Sequence, residues 1–550
     1  MQSEIKIDFK QILILIVVSY VFLIMGNSFL SLTNPDEVFY SQTAREMIQQ
    51  KSWMTPYLFG QPQFEKPVLF YWLLRIGFMV FGALPFVARF PAALFGIFGA
   101  IGVYLLVLYG FKDKKKAFAC ALVLISSGLY VGLARTVFID LVFTVLILLS
   151  LTSFFIGYIR QELKARGIIL FFLFAALAVL AKGPLGFTML IMAVLAFLAI
   201  KKDLKFLLDK YFLWGLLIFI LVSAPWYLFM IYKYGSSFNN EFFYNVHIRR
   251  FFEAEHPAND TWYFYPFSMI ACMFPWSIYV VISFFYFTKQ VLTNKRNPIY
   301  LFLACWITAV FVTFQFAHSK LVSYIFPLFP ALAVISGDFF CNVVDYGKAK
   351  TISIVTWIMW VVLALFPAGL LFAANKYPEY ITSKAPFYNF IILYSVVLLV
   401  MLFSVIKKKH WLNFYLISVQ VPLLIFFVFF FHNNYENFVS SKNPCKFLMD
   451  NYKVEGRIIC SKSFMRGVRF YTDKDVAMFS IGGSSLYSPH PVPVLDSEEH
   501  TRKFLGTQAV TFCVLSRSSV EDLKRIANGY NVEVLKVFGN EYVVRVARLK

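Results

Sequence analysis

"VLFYWLLRIGFMVFG" occupies residues 68–82, and the fold turns on whether this stretch crosses a membrane. It is apolar along most of its length, but Tyr71, Trp72 and Arg75 interrupt it. Basic segments bracket it in the chain, with Lys6 and Lys10 before it and "KDKKK", 112–116, after it. Short loops rich in Lys and Arg stay on the cytoplasmic side. The apolar runs 11–31 and 87–110 already make two crossings between those anchors. A third crossing at 68–82 would carry "KDKKK" outside. Parity therefore lays 68–82 along the membrane surface as an amphipathic interfacial helix, with its aromatic and basic residues at the boundary.

The same reasoning runs outward along the chain. "RQELKAR" 160–166, "KKDLK" 201–205, "KQVLTNKRN" 289–297 and "KKKH" 407–410 are further cytoplasmic anchors. Between them the expected spans are 11–31, 87–110, 117–134, 138–158, 167–181, 184–200, 211–232, 263–287, 299–317, 321–341, 351–374, 387–406 and 411–432, thirteen in all. The first run lacks a small-residue cleavage site and reads as an uncleaved anchor. Of 550 residues, 59% are hydrophobic and only 15% charged, whereas a soluble domain carries about 25% charged residues. The net charge of +21 sits largely in short loops, so it sets topology and does not indicate nucleic acid. None of the seven cysteines forms a CxxC pair, which removes the usual zinc-knuckle and redox motifs.

The tail, 433–550, changes character: "GRIICSK", "DVAMFS", "AVTFCVLSR" and "VEVLKVFGNEYVVRVAR" are strand-like runs among helical patterns. The expected fold class is a polytopic α-helical membrane protein of about thirteen spans with a C-terminal soluble α/β domain. Residues 1–432 form the membrane part, with extracytoplasmic loops at 32–86 and 233–262. An odd number of crossings from a cytoplasmic N-terminus puts 433–550 outside.

The chemistry-bearing residues then fall on one side. Asp36, Glu37, Glu65, Lys66, Arg135, Asp140, Lys182, the loop "NVHIRRFFEAEH" and His318-Ser319-Lys320 all lie at the outer ends of spans or in outer loops. Ionisable groups near membrane depth are costly and mark function. Carboxylates and cations converging on one face suit an anionic, partly lipidic substrate. Each has a plainer reading. Asn34 or Asp36 can cap a helix, and Glu65 and Lys66 can be a surface ion pair. Asp140 can pair with Arg135, Lys182 and Lys320 can snorkel, His247 can be structural, and Tyr71 and Trp72 can belong to an aromatic belt.

"DEVFYSQTAREM", "FGQPQFEKPVLFYWL", "ARFPAAL", "ARTVFID", "AKGP", "PWY", "HIRRFF" and "SKLVSYIFPLFPALA" occur in this order. Together they resemble the polyprenyl-phosphate-sugar-dependent membrane glycosyltransferases of the type-C fold. The nearest branch adds 4-amino-4-deoxy-L-arabinose to lipid A, and protein O-mannosyltransferases are more distant. Two positions depart from the lipid A branch: Phe39 stands before Tyr40 where an Arg is usual, and Val246-His247 stands where Glu-His is usual.

The resemblance implies an inner-membrane enzyme of bacteria that takes a sugar from a polyprenyl phosphate on the periplasmic side. Its acceptor is a lipid A phosphate or, alternatively, a protein Ser/Thr hydroxyl. The leaving group is a phosphate monoester anion, which cations must hold. Lys66, Arg250 and Lys320, with Tyr40, are expected on the donor phosphate, and Arg45 is a weaker candidate. Asp36, Glu37 and Asp140 are the expected catalytic carboxylates, with Asp36 serving as general base toward a hydroxyl or as charge stabiliser toward a phosphate. Lys182, Tyr71, Tyr324 and His247 are expected on the acceptor or sugar. The family also suggests a zinc ion on Glu65 with a tail histidine, His432, His490 or His500, although no ligand spacing supports it. A transporter is the competing class. It would need paired halves with matched broken helices near the midplane, and the sequence has neither.

Overall fold

The computed structural model describes residues 6–294, 297–345, 349–378, 384–481 and 491–549. Among the described residues, nine helices are long and apolar enough to cross a membrane, or eleven if each of two bent pairs is one span. The bent pairs are Lys114–Ile125 with Gly128–Ala134 and Phe264–Cys272 with Ser277–Thr293. Phe9–Ile24, Leu69–Phe81 and Leu185–Ile200 are shorter apolar helices. Each of the thirteen expected spans has one of these elements at its position, although length and composition alone qualify only nine to eleven. The chain is a multi-pass membrane protein.

Burial separates the centre of the bundle from its rim. The apolar window of Val322–Asp345 is 94% buried and that of Ile139–Ile159 is 83% buried, against 17% for Lys210–Phe252. The first two are therefore enclosed by other helices, and the last presents its apolar face outward, as a lipid-facing helix must.

Two helices occupy the connection between the first two apolar helices. Helix α1 spans Asp36–Gln49 and helix α2 spans Leu69–Phe81. At 1.5 Å per residue, α2 is about 20 Å long, shorter than the other two short apolar helices at about 24 Å, and all three fall below a hydrocarbon core of about 30 Å. One face buries Phe70, Tyr71, Leu74 and Phe78, while Ile76, Met79, Val80 and Phe81 are exposed. Arg75 ties α2 to the end of α1 by donating to the Met47 and Ser52 carbonyls, and its guanidinium lies over the Trp53 ring. A short hairpin pairing Tyr57–Leu58 with Gln61–Pro62 lies between the two helices.

The C-terminal part builds a six-stranded sheet from β1 (Ile458–Ser461), β2 (Val476–Phe479), β3 (Val494–Leu495), β4 (Val510–Leu515), β5 (Tyr530–Phe538) and β6 (Glu541–Arg548). Its order is β3-β2-β1-β4-β6-β5. The first four of these are mutually parallel, and β6 runs antiparallel to both β4 and β5. Helix α3 (Met465–Thr472) follows β1 and helix α4 (Arg517–Ile526) follows β4. The buried runs of β1, β2 and β4 suit a sheet covered on both faces.

This domain docks on the first loop. The Asn34 N–H donates to the Val439 carbonyl and its Nδ2 to Ser441 Oγ. Tyr471 donates to the Leu32 carbonyl. Arg45 donates to the Phe470 carbonyl and pairs with Asp473, and Arg469 reaches Glu46 at 3.5 Å. Gly467 permits the close approach, since a Cβ there would meet Asn34 Oδ1 at 2.1 Å.

Candidate functional site

Asp36 is the first residue of α1, yet it does not cap it. The N-cap position is Pro35, no side chain caps the helix, and Asn34 is engaged with the C-terminal domain. The capping reading of Asn34 and Asp36 is thereby corrected. The Asp36 carboxyl has no hydrogen-bond partner among the described residues. Burial by surrounding protein raises its pKa, Arg466 and Lys66 pull it down, and Asp140 and Glu65 push it up. Asp36 thus shares one electrostatic field with the cation and both carboxylates that the sequence singled out.

Glu37, one residue on, is in the opposite state. It is buried in an ion pair with Arg89, which donates through Nε to Oε1 at 2.8 Å and through Nη2 to Oε2 at 2.6 Å. Val137 and Thr33 backbone N–H groups and the Thr33 hydroxyl fill the remaining acceptor positions. Arg89 also donates to the Asn27, Leu30 and Ser31 carbonyls. Glu37, expected beside Asp36 as a catalytic carboxylate, has no lone pair left for a substrate. Sequence reading missed Arg89, although an arginine inside the apolar run 87–110 announces a buried partner.

A cavity of about 120 Å³ brings together Lys66, Lys182, His247, Arg250 and Tyr324, with Ser319 and the apolar walls of Phe143, Phe251 and Phe314. These residues come from five distant segments. Lys66 is half-buried and has no hydrogen bond or ion pair among the described residues. Burial, and then Arg250 and Lys182 close by, lower its pKa to about 8 against the opposing pull of Glu65 and Asp140. Lys182 is ion-paired with Asp140 and lies over the Tyr324 ring at 4.7 Å. Asp140 therefore pairs with Lys182, while Arg135 donates to the Phe22 and Met25 carbonyls, which corrects the Arg135 pairing. Arg250 pairs with Glu255 at 3.2 Å.

Gly183, at φ +113°, explains the "AKGP" turn: a Cβ there would meet His247 Nε2 at 2.4 Å. His247 is anchored by its Nδ1, 2.7 Å from the Phe242 carbonyl. Tyr40 and Tyr71 lie outside the cavity wall. Tyr40 packs edge-on to Phe70 and within 6.0 Å of Tyr71 and Phe138, and Tyr71 accepts from Gln63 Nε2.

Two expected cations are employed elsewhere. Lys320, expected on the donor phosphate, is buried against Asp260 at 2.7 Å, with His318 on the other Asp260 oxygen. Its neighbour Ser319, not Lys320 itself, reaches the cavity. Arg45 is part of the interdomain clamp. Arg466, which the sequence did not single out, lies over the Phe39 ring at 4.6 Å and acts on Asp36. Nothing in the tail's local pattern marks it, since its position depends on how the two parts dock.

Among the described residues no group of three or more His, Cys, Asp or Glu could hold a metal ion. His432 stacks on Phe29 and His500 pairs with Asp496, while His490 lies outside the described residues. The donor set around Glu65 does not fit zinc, and no step is derived through it.

Residues 65–229 match the family model described as dolichyl-phosphate-mannose-protein mannosyltransferase. An uncharacterized protein of Aquifex aeolicus is 28% identical over 64% of this chain and 69% of its own length. The undecaprenyl phosphate-alpha-4-amino-4-deoxy-L-arabinose arabinosyl transferase 2 of Pseudomonas fluorescens is 29% identical over 63% of this chain, and the match spans 59% of that protein. ArnT from Cupriavidus metallidurans, in a crystal structure bound to undecaprenyl phosphate, superposes with a TM-score of 0.78 at 19% identity over 98% of both chains.

Proposed function

We propose that this chain is a polyprenyl-phosphate-sugar-dependent membrane glycosyltransferase of the type-C fold that moves 4-amino-4-deoxy-L-arabinose from a polyprenyl phosphate to a lipid A phosphate. The observation that carries this reading is the convergence of Lys66, Lys182 and Arg250 on one cavity beside Asp36, Glu65 and Asp140. An arabinosyl transferase as relative, and a shared fold with a structure holding undecaprenyl phosphate, support the donor class.

In this reading an ionised acceptor phosphate oxygen forms a bond to the sugar's anomeric carbon as the bond to the donor phosphate oxygen breaks. The electron pair leaves with the polyprenyl phosphate, and no proton need move. Lys66 and Arg250 hold the leaving phosphate, preorganised where negative charge develops. Asp36 faces the positive charge that builds on the sugar ring. Lys182, held by Asp140, borders the acceptor side. Arg89 and Glu37 fix the start of α1 so that Asp36 stays in place.

A protein hydroxyl acceptor is the second reading, favoured by the family-model match over 65–229. There Asp36 would take the hydroxyl proton. We place the membrane part at 1–432, with its N-terminus cytoplasmic in a bacterial inner membrane, and the domain 433–550 in the periplasm. Purified protein incubated with undecaprenyl-phosphate aminoarabinose and either lipid A or a Ser/Thr-rich peptide tests the pair. Mass spectrometry should find the sugar on lipid A; sugar on the peptide alone would replace the first reading with the second.

A further inference from the structure

The second cavity lies in the C-terminal domain and belongs to none of the residues assigned above except for its neighbours Pro35 and Arg466. Strands β2 and β3 leave β1 on one side, and β4 returns to pair with it on the other. The strand order therefore reverses between β1 and β4. In open α/β sheets, ligands bind in the crevice outside the carboxyl ends of strands at such a reversal. A cavity of about 500 Å³ lies at that place, within the size range of small-molecule sites.

Its lining is polar and drawn from segments far apart in the chain. Ser461 ends β1 and is followed by Lys462 and Ser463; Ser516 and Ser518 follow β4; Arg466 comes from α3. Hydroxyls bridge the two strand ends: Ser461 Oγ donates to Ser519 Oγ at 2.9 Å, and the Ser516 N–H donates to Ser461 Oγ at 2.9 Å. The lining includes two cations, Lys462 and Arg466, and one carboxylate, Asp522, so the wall carries a positive excess. Pro35, immediately before Asp36, forms part of the same wall.

Resting on the transferase reading above, we propose that this crevice binds the phosphorylated sugar headgroup of the acceptor. Hydroxyl-rich walls with a cationic excess match a sugar bearing phosphate better than an apolar ligand. In that reading the donor phosphate takes the Lys66–Arg250 cavity, which shares no lining residue with the crevice. A headgroup held in the crevice reaches the reacting centre past Pro35 while its chains stay in lipid.

The test is binding to full-length protein in nanodiscs, without donor, using glucosamine 1-phosphate as probe in equilibrium dialysis. Wild type should bind it saturably, and Lys462→Glu, a surface change, should weaken binding by about tenfold or more by exchanging attraction for repulsion. Ser518→Leu, which narrows the mouth, should do the same. Lipid A in the nanodisc should displace the probe. Absence of saturable binding, or equal affinity in wild type and both variants, overturns the site. Probe binding that lipid A leaves untouched overturns its assignment to the acceptor and makes it a site for a soluble phosphosugar. Binding is read without turnover. A protein that transfers sugar but does not bind the probe therefore sinks only the crevice, and one that binds but never transfers sinks only the transferase reading.

Discussion

Asp36 and Glu37 are adjacent in the chain and opposite in environment. Asp36 has no hydrogen-bond partner among the described residues and lies in the field of Arg466 and Lys66, whereas Glu37 spends every acceptor position on Arg89, Val137 and Thr33. Asp36→Asn should cut turnover by about 10²–10⁴-fold, the usual worth of a positioned carboxylate, and should melt like wild type. Glu37→Gln leaves Arg89 buried without its charge partner, which costs about 3–5 kcal/mol when a buried pair is broken. Its loss should therefore appear first in the melting temperature of detergent-purified protein. A normal melt with dead activity in Glu37→Gln would return Glu37 to catalysis. Lys66 supplies a pH signature. Its pKa is lowered to about 8, so its charge is present below that value and is lost as pH rises through it. Donor KM should climb above about pH 8 in steady-state assays. Lys66→Arg, which stays charged, should abolish that rise even if its fork fits the phosphate less well, and Lys66→Ala should lose transfer at every pH.

At the scale of elements, α1 is held at both ends: its start by Arg89 through Glu37, and its C-terminal part by Arg45 and Glu46 against α3 and by Arg75 of α2. The position of the Asp36 carboxyl therefore depends on the docked C-terminal domain. Gly467 is where α3 comes nearest, and Gly467→Ala would push Asn34 away. That variant should lower kcat by about tenfold or more, since misplacement of about 1 Å can cost 10²-fold, with donor KM little changed. Unaltered kcat would mean that the docking contact does not position Asp36.

The whole molecule places an α/β domain on a helical bundle, joined through the Asn34–Ser441–Glu541 contact. Burial pushes the Glu541 carboxyl up to about 8, against the help of Ser441. A carboxyl raised on folding stays protonated while the unfolded chain ionises, so stability falls as pH rises from about 4.5 toward 8. Thermal melts should show that decline, and Glu541→Gln should flatten it. Topology is tested separately: a reporter fused after Lys409 should be cytoplasmic, and one fused after Lys550 extracytoplasmic. A cytoplasmic tail would overturn the parity argument.

The membrane architecture was legible in the sequence because hydropathy and loop charge act locally. Each apolar run must satisfy its own backbone in lipid, so the helices at the apolar runs could be read one at a time, whereas 68–82 needed the parity of its neighbours. The α/β tail was legible for the same reason, through the apolar strand runs at 458–461 and 510–515. Lys66, Lys182, Arg250 and His247 were singled out in the sequence by their placement at span ends and loops and Tyr324 by its motif position, and these five line one cavity. Only the tertiary structure decided who pairs with whom. It gave Glu37 to Arg89, Asp140 to Lys182, Lys320 to Asp260 and Arg45 to the tail, and it brought Arg466 to Asp36. Sequence spacing carries no information about such pairs. A buried charge takes whichever partner the packing of distant helices brings within about 3 Å, and that packing is a property of the assembled bundle.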